Sequence, residues 1–108
     1  MGKIATATFS AGGKDYSFNA YTTDTDFNEV SAVYIFTERT VKDGKGSHRY
    51  LYIGETEALG SRIANHEKWE CVDDKGCNCV CVHQVKEKAA REALEKIFLK
   101  EKNPPCND

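Results

Sequence analysis

The chain has 108 residues, 40% hydrophobic and 30% charged, with 15 Lys and Arg against 17 Asp and Glu for a net charge of −2. That is room for one domain with a modest core, and it excludes a protein that grips nucleic acid by bulk positive charge. No apolar run approaches the ~20 residues of a membrane span, and five Phe, five Tyr and one Trp are too much core material for a disordered chain.

Residues 3–10 (KIATATFS) and 15–21 (DYSFNAY) alternate apolar with small or polar side chains about an Ala11-Gly12-Gly13-Lys14 turn, so they predict an N-terminal β-hairpin. The polar, alternating start is not the pattern of a signal peptide. A Thr- and Asp-rich connection, 22–30, leads to the dense β-branched and aromatic run 31–37 (SAVYIFT), a buried strand. Residues 42–48 (KDGKGSH) read as a turn and 49–53 (RYLYI) as the returning strand. Thr56 is placed to cap a helix over 57–69, with Leu59 and Ile63 on its buried side. Residues 71–77 read as an acidic loop and 77–85 as a strand. The clearest helix is 86–102, where Ala90, Leu94, Ile97 and Phe98 form one stripe before Asn103-Pro104-Pro105 ends it. The expected fold class is α+β, a small, mainly antiparallel three-stranded central sheet flanked by helices, with an extra N-terminal hairpin. The whole chain, 1–108, reads as a single domain, the hairpin 1–21 extending a core over 32–107.

Charge is unevenly spread. Residues 86–102 carry six basic and four acidic side chains, and 38–49 carry four and two, so any polyanion site has to be built locally. The five cysteines are an odd number without an export signal, which points to free thiols and a cytoplasmic location. Cys77, Cys79, Cys81 and His83 share one strand face by period two, and thiolates with imidazole are zinc ligands. Neighbours along one face of a straight strand stand ~6.5–7 Å apart, however. The expectation is therefore small buried thiols rather than a metal site.

Two aromatic strands each carry a tyrosine, in Ala32-Val33-Tyr34 and in Tyr52-Ile53-Gly54. Arg62 and His66 follow at i, i+4, Glu95 lies on the last helix, and Asn107 follows Pro104 in the tail. In order and placement this set resembles the GIY-YIG nuclease superfamily over Ala32–Asn107. Tyr52-Ile53-Gly54 matches the second motif, and Arg62 to His66 the family's R-x-x-x-H. The first motif has Ala32 where the family usually has glycine. The two tyrosines also stand 18 residues apart, an excess assigned to the 42–48 turn.

The resemblance implies a metal-dependent endonuclease acting on DNA, or on structured nucleic acid. It implies one Mg²⁺ or Mn²⁺ on Glu95, and Tyr34 as general base or water-positioning hydroxyl, its titration depressed by Arg62, His66 or the metal. Arg62 would clamp phosphate, His66 would relay the Tyr34 proton, and Tyr52 would hydrogen-bond phosphate or water. Asn107 would hold a phosphate or fix the tail. A protein partner or a homodimer would supply specificity, and no membrane is involved. The rival reading is a catalytically inactive module of the same fold that binds nucleic acid or protein.

Overall fold

The structure, a computed structural model, describes residues 3–107. The strands are β1 (Lys3–Ala11), β2 (Lys14–Tyr21), β3 (Ala32–Lys42), β4 (Lys45–Thr56) and β5 (Cys79–Gln84). The helices are α1 (Leu59–Ala64), α2 (Trp69–Asp74) and α3 (Lys88–Lys102), with a 3-10 turn at Pro105–Asn107. All five strands form one antiparallel sheet in the order β1-β2-β5-β3-β4.

This corrects the expected three-stranded sheet flanked by helices. The N-terminal hairpin is part of the same sheet, because Asn19–Tyr21 pair with Val80–Val82 of β5. The sheet curls into a half-barrel rather than lying flat between helices. Its edges approach each other: Phe9 on β1 lies 5.1 Å from the Tyr50 ring and 5.2 Å from the His48 ring, both on β4. Right-handed strand twist accumulated over five strands gives such curvature.

Two cores line the two faces. The concave face gathers Phe9, Phe18, Val33, Ile35, Ile53, Cys79 and Cys81, closed by Leu94 and Phe98 of α3. The other gathers Tyr34, Phe36, Leu51, Val80 and Val82 under Leu59 and Ile63 of α1, Val72 of α2 and Cys106 of the tail. Covered on both sides, β3 is buried from Ala32 through Thr37, which explains its unbroken apolar run.

Four local expectations also change. The excess between the tyrosines is taken up by longer strands rather than a long loop. Asp43 and Gly44 alone turn the chain, at φ 53° and 77°, the left-handed pair of a two-residue hairpin. The single helix over 57–69 becomes α1 and α2, because the Trp69 indole donates to the Ile63 carbonyl at 2.7 Å and closes α1. That displaces the 71–77 loop with a helix. Not all cysteines are free: Cys71 and Cys106 form a disulfide that ties α2 to the tail, 35 residues away. Among the described residues, no helix is long and apolar enough to cross a membrane.

Phe18 tests the hairpin's place in the fold. It is fully buried against Phe9 and Phe98. Phe18→Ala should lower the unfolding free energy in urea by about 3–5 kcal/mol. A loss below about 1 kcal/mol would mark the hairpin as an appendage.

Candidate active site

Period two puts Tyr34 and Phe36 of β3 on the second core. A regular β4 would put His48, Tyr50, Tyr52 and Gly54 on a single face. The ladder is not regular: Phe36 pairs with Tyr52 but Thr37 with Tyr50, so Leu51 is an extra residue. This bulge leaves Tyr52 and Gly54 beside Tyr34 and turns Tyr50 and His48 to the concave side.

Tyr34 reaches across Gly54. A Cβ at Gly54 would sit 2.5 Å from the Tyr34 hydroxyl and 2.9 Å from the Tyr52 ring, so only glycine fits beneath the two phenols. The Tyr34 hydroxyl lies 2.8 Å from His66 Nε2 and accepts a hydrogen bond from Arg62 Nε at 3.2 Å. The Lys68 amide donates to His66 Nδ1 at 3.1 Å, so the proton of the neutral imidazole belongs on Nε2. His66 is therefore a donor to Tyr34 rather than its proton acceptor, which reverses the expected relay. The imidazole is wedged between rings, its centroid 4.8 Å from Tyr52 and 4.9 Å from Phe36. Trp69 stacks on Phe36 behind them at 4.7 Å.

Burial dominates the electrostatics. Tyr34 has no exposed surface, and this burial, reinforced by Tyr52, raises its titration above the ordinary phenol range although Arg62 opposes the rise. Arg62 alone does not produce the expected depression of Tyr34, because loss of hydration for the phenolate outweighs one nearby cation. Burial, then Arg62, lowers His66 to about 4, so it is neutral at pH 7. Arg62 is the member of the cluster that meets solvent. Its two terminal nitrogens grip both carboxylate oxygens of Glu67, and that pairing holds the exposed Glu67 carboxyl at about 2. Sequence reasoning missed Glu67, which stands five residues from Arg62 and outside any helical spacing.

The remaining predicted residues lie along β4. Asn107 accepts from the Ile53 amide at 2.9 Å and donates to its carbonyl at 2.8 Å, capping the open side of an edge strand. Its amide is thereby engaged in fixing the tail. Glu95 reaches β4 one residue beyond Gly54, where the Glu55 amide favours its charge. Burial first, then Glu55 and Glu92, raise its titration. Arg91, four residues earlier and itself buried, does not neutralise it, because Arg91 is bound to Glu55 at 2.9 Å and to the Lys86 carbonyl at 2.8 Å. Along with the Glu55 amide, Lys96 is the cation that favours the Glu95 charge. Among the described residues no group of three ligating side chains forms around Glu95, so a Mg²⁺ ion there would keep most positions for water and substrate oxygens. The strand-face set is split: His83 bonds the Ser17 carbonyl at 2.8 Å and Cys77 the Cys79 carbonyl at 3.7 Å, while Cys79 and Cys81 point to the concave core.

The buried neutral His66 makes stability depend on pH. Its folded value lies below the ordinary 6.5, so the unfolded chain takes up the proton first as pH falls. Stability should decline between pH 6.5 and about 4, by on the order of 1–3 kcal/mol, with no contribution from His66 above that window. Urea unfolding against pH checks this, and His66→Gln should remove most of that slope. Comparisons with family models, curated proteins and solved structures find no match, and the functional reading rests on this geometry.

Proposed function

We propose that the chain is a metal-dependent endonuclease that hydrolyses phosphodiester bonds in DNA or structured nucleic acid. The observation that carries this reading is the convergence of Arg62 and His66 on the Tyr34 hydroxyl above Gly54, with a carboxylate occupying the Arg62 fork from the solvent side.

A planar guanidinium matches two oxygens of a carboxylate or of a phosphate equally well. Glu67 stands where a phosphate would bind. A phosphodiester that displaces it lands beside Tyr34, the group otherwise shut off from solvent. In the hydrolysis an O–P bond forms to water, the bond from phosphorus to the leaving oxygen breaks, and that oxygen takes up a proton. Tyr34 first loses its own proton to solvent and then takes that of the attacking water, while a solvent water supplies the proton to the leaving oxygen. Arg62 Nε–H and His66 Nε2–H, both aimed at the Tyr34 oxygen, stabilise the phenolate as it forms. Tyr52, half-exposed next to Tyr34, positions the water or phosphate from the open side. A divalent ion held by Glu95 would supply Lewis-acid stabilisation of the leaving oxygen. The local charge needed for a polyanion comes from Arg62 and the basic side chains of α3, since the chain as a whole is acidic. A partner protein or a second copy would add the substrate specificity that so small a surface lacks.

The test is a cleavage assay with Mg²⁺ or Mn²⁺ on plasmid, flap, branched and single-stranded DNA and on RNA. Tyr34→Phe and Glu95→Ala should each cut at least about 100-fold more slowly than wild type. Glu67→Gln should lower KM by freeing the Arg62 fork. The rate should keep climbing with pH from 7 to 10, since ionised Tyr34 becomes more abundant throughout that range. Equal cutting by wild type and the Tyr34 and Glu95 variants would overturn the assignment. Nucleic-acid binding without cutting would favour the inactive binding module, a reading that the complete burial of Tyr34 supports.

A further inference from the structure

On the concave side, the same bulge brings a second chemical group together. Cys79 pairs in register with Thr37, and His48 with Arg39, so Cys79, Cys81, Thr37 and His48 come from three adjacent strands. The Cys79 and Cys81 sulfurs lie 3.8 Å apart, far closer than the side-chain spacing of a straight strand, because both thiols lean toward one point. His48 Nδ1 lies 3.9 Å from the Cys81 sulfur, and the three potential ligand atoms all fall within 4.8 Å of one another. Thr37 Oγ1 stands 2.8 Å from His48 Nδ1 and 3.9 Å from the Cys81 sulfur. Both cysteines are buried, while His48 is half-buried and lines a cleft of about 380 Å³ between β1 and β4.

We propose that His48 Nδ1, Cys79 Sγ and Cys81 Sγ form a zinc site, with the fourth position open to a water in this cleft. Sulfur and imidazole donors select a borderline-soft cation over Mg²⁺. Zinc with two thiolates and a neutral imidazole carries no net charge, which suits a buried centre where an unbalanced charge is costly. The Cys79–Cys81 and Cys81–His48 separations of 3.8 and 3.9 Å are close to the edges of a tetrahedron built on Zn–S of about 2.3 Å and Zn–N of about 2.0 Å, and small side-chain shifts would bring all three atoms, which lie within 4.8 Å of one another, onto one ion. Thr37 is placed to hold the metal-bound water from outside the coordination shell. An independent observation points the same way. Arg39 lines the same cleft, and its buried Nε has no hydrogen-bond partner among the described residues. A hydroxide on the metal would give the cleft an acceptor for it. His83 and Cys77 do not gather with these three ligands, and on binding an ion His48 Nδ1 would exchange its contact with the Thr37 hydroxyl for the metal. The ion would staple β4 to β5 across β3, on the face opposite Tyr34.

The experiment is metal reconstitution of the full chain, made anaerobically and stripped with chelator, followed by elemental analysis and a competition titration with a chromophoric zinc chelator. One zinc per chain is expected, together with a rise in Tm on zinc addition and a thiolate-to-metal charge-transfer band when Co²⁺ replaces zinc. His48→Ala removes a half-buried ring that also touches Phe9, so its folding is checked by circular dichroism. It should weaken zinc by more than about 100-fold, beyond the loss typical of a second-shell change. Cys81→Ser, checked for folding by circular dichroism, should do the same, and Cys77→Ser should change nothing. Zinc well below one equivalent in wild type would overturn the proposal. So would stoichiometric copper without zinc, or zinc retained in His48→Ala and Cys81→Ser. None of these readouts depends on nuclease activity.

Discussion

A single extra residue in the β3–β4 ladder decides which side chains can meet. Strand geometry alternates faces with period two, so an uninterrupted β4 would commit His48, Tyr50, Tyr52 and Gly54 to one side. Leu51 breaks the register between Phe36 and Thr37, and from there the parity of β4 is reset. Tyr52 and Gly54 stay with Tyr34, while Tyr50 and His48 pass to the concave face with Phe9 and Cys81. Restoring a regular ladder would flip one half of the strand. Either the two phenols would separate, or His48 would leave the thiols. Both side-chain clusters therefore depend on the same irregularity.

The second organising constraint is the cost of burying charge. On the Tyr34 face the protein keeps its interior neutral. Tyr34 stays a phenol and His66 an imidazole, and the one cation touching them, Arg62, is matched by Glu67 at the surface. Near α3 the opposite device appears. Arg91 is buried and its charge is cancelled by Glu55 and two backbone carbonyls. Because Arg91 is committed there, Glu95 is left facing other carboxylates. The neutral cluster packs on Gly54, and the Glu95 carboxylate reaches the backbone of the next residue, Glu55, on the same edge strand. On the proposed reading, hydrolysis of a charged ester would use that division: a dry environment in which hydrogen bonds to oxygen are strong, and a nearby carboxylate that could hold a cation.

Much of the secondary structure is legible in the residues, and the corrections have identifiable causes. The Gly12-Gly13 turn, the run over β3 and the stripe on α3 are local signals, and local signals survive in the fold. Asp43-Gly44 carried an equally local signal for a two-residue turn, but lay inside a polar stretch that reads as a loop. Arg62 and His66 do meet at Tyr34, though not as neighbours on a helix face. α1 ends at Ala64, and His66 turns inward beyond it. The five-stranded sheet was hidden because β2 pairs with β5 across some sixty intervening residues, which no periodicity records. The bulge is equally silent, since Arg49-Tyr50-Leu51-Tyr52-Ile53 reads as a regular strand. Cys79 and Cys81 are the buried free thiols that the strand pattern predicts, whereas the Cys71–Cys106 disulfide and the approach of His48 from two strands away are long-range contacts that no spacing along one strand records.

The tail shows how a long-range link completes what local sequence cannot. β4 is an edge strand, and an exposed edge invites pairing with another chain. Asn107 meets both outward backbone groups of Ile53 with its one amide, as a neighbouring strand would. Three residues of 3-10 turn have little stability of their own, so this contact needs an anchor. The Cys71–Cys106 disulfide supplies it by fastening the residue before Asn107 to α2, which packs over the same core as Tyr34. Closing a loop of this length removes freedom mainly from the unfolded chain, worth about 4 kcal/mol in the chain-entropy description. The edge of β4 is thus blocked at Ile53, directly next to Gly54. The strand that carries both Tyr52 and the floor under Tyr34 is held from both sides: by β3 through the bulged ladder, and by the tail through a side chain acting as backbone.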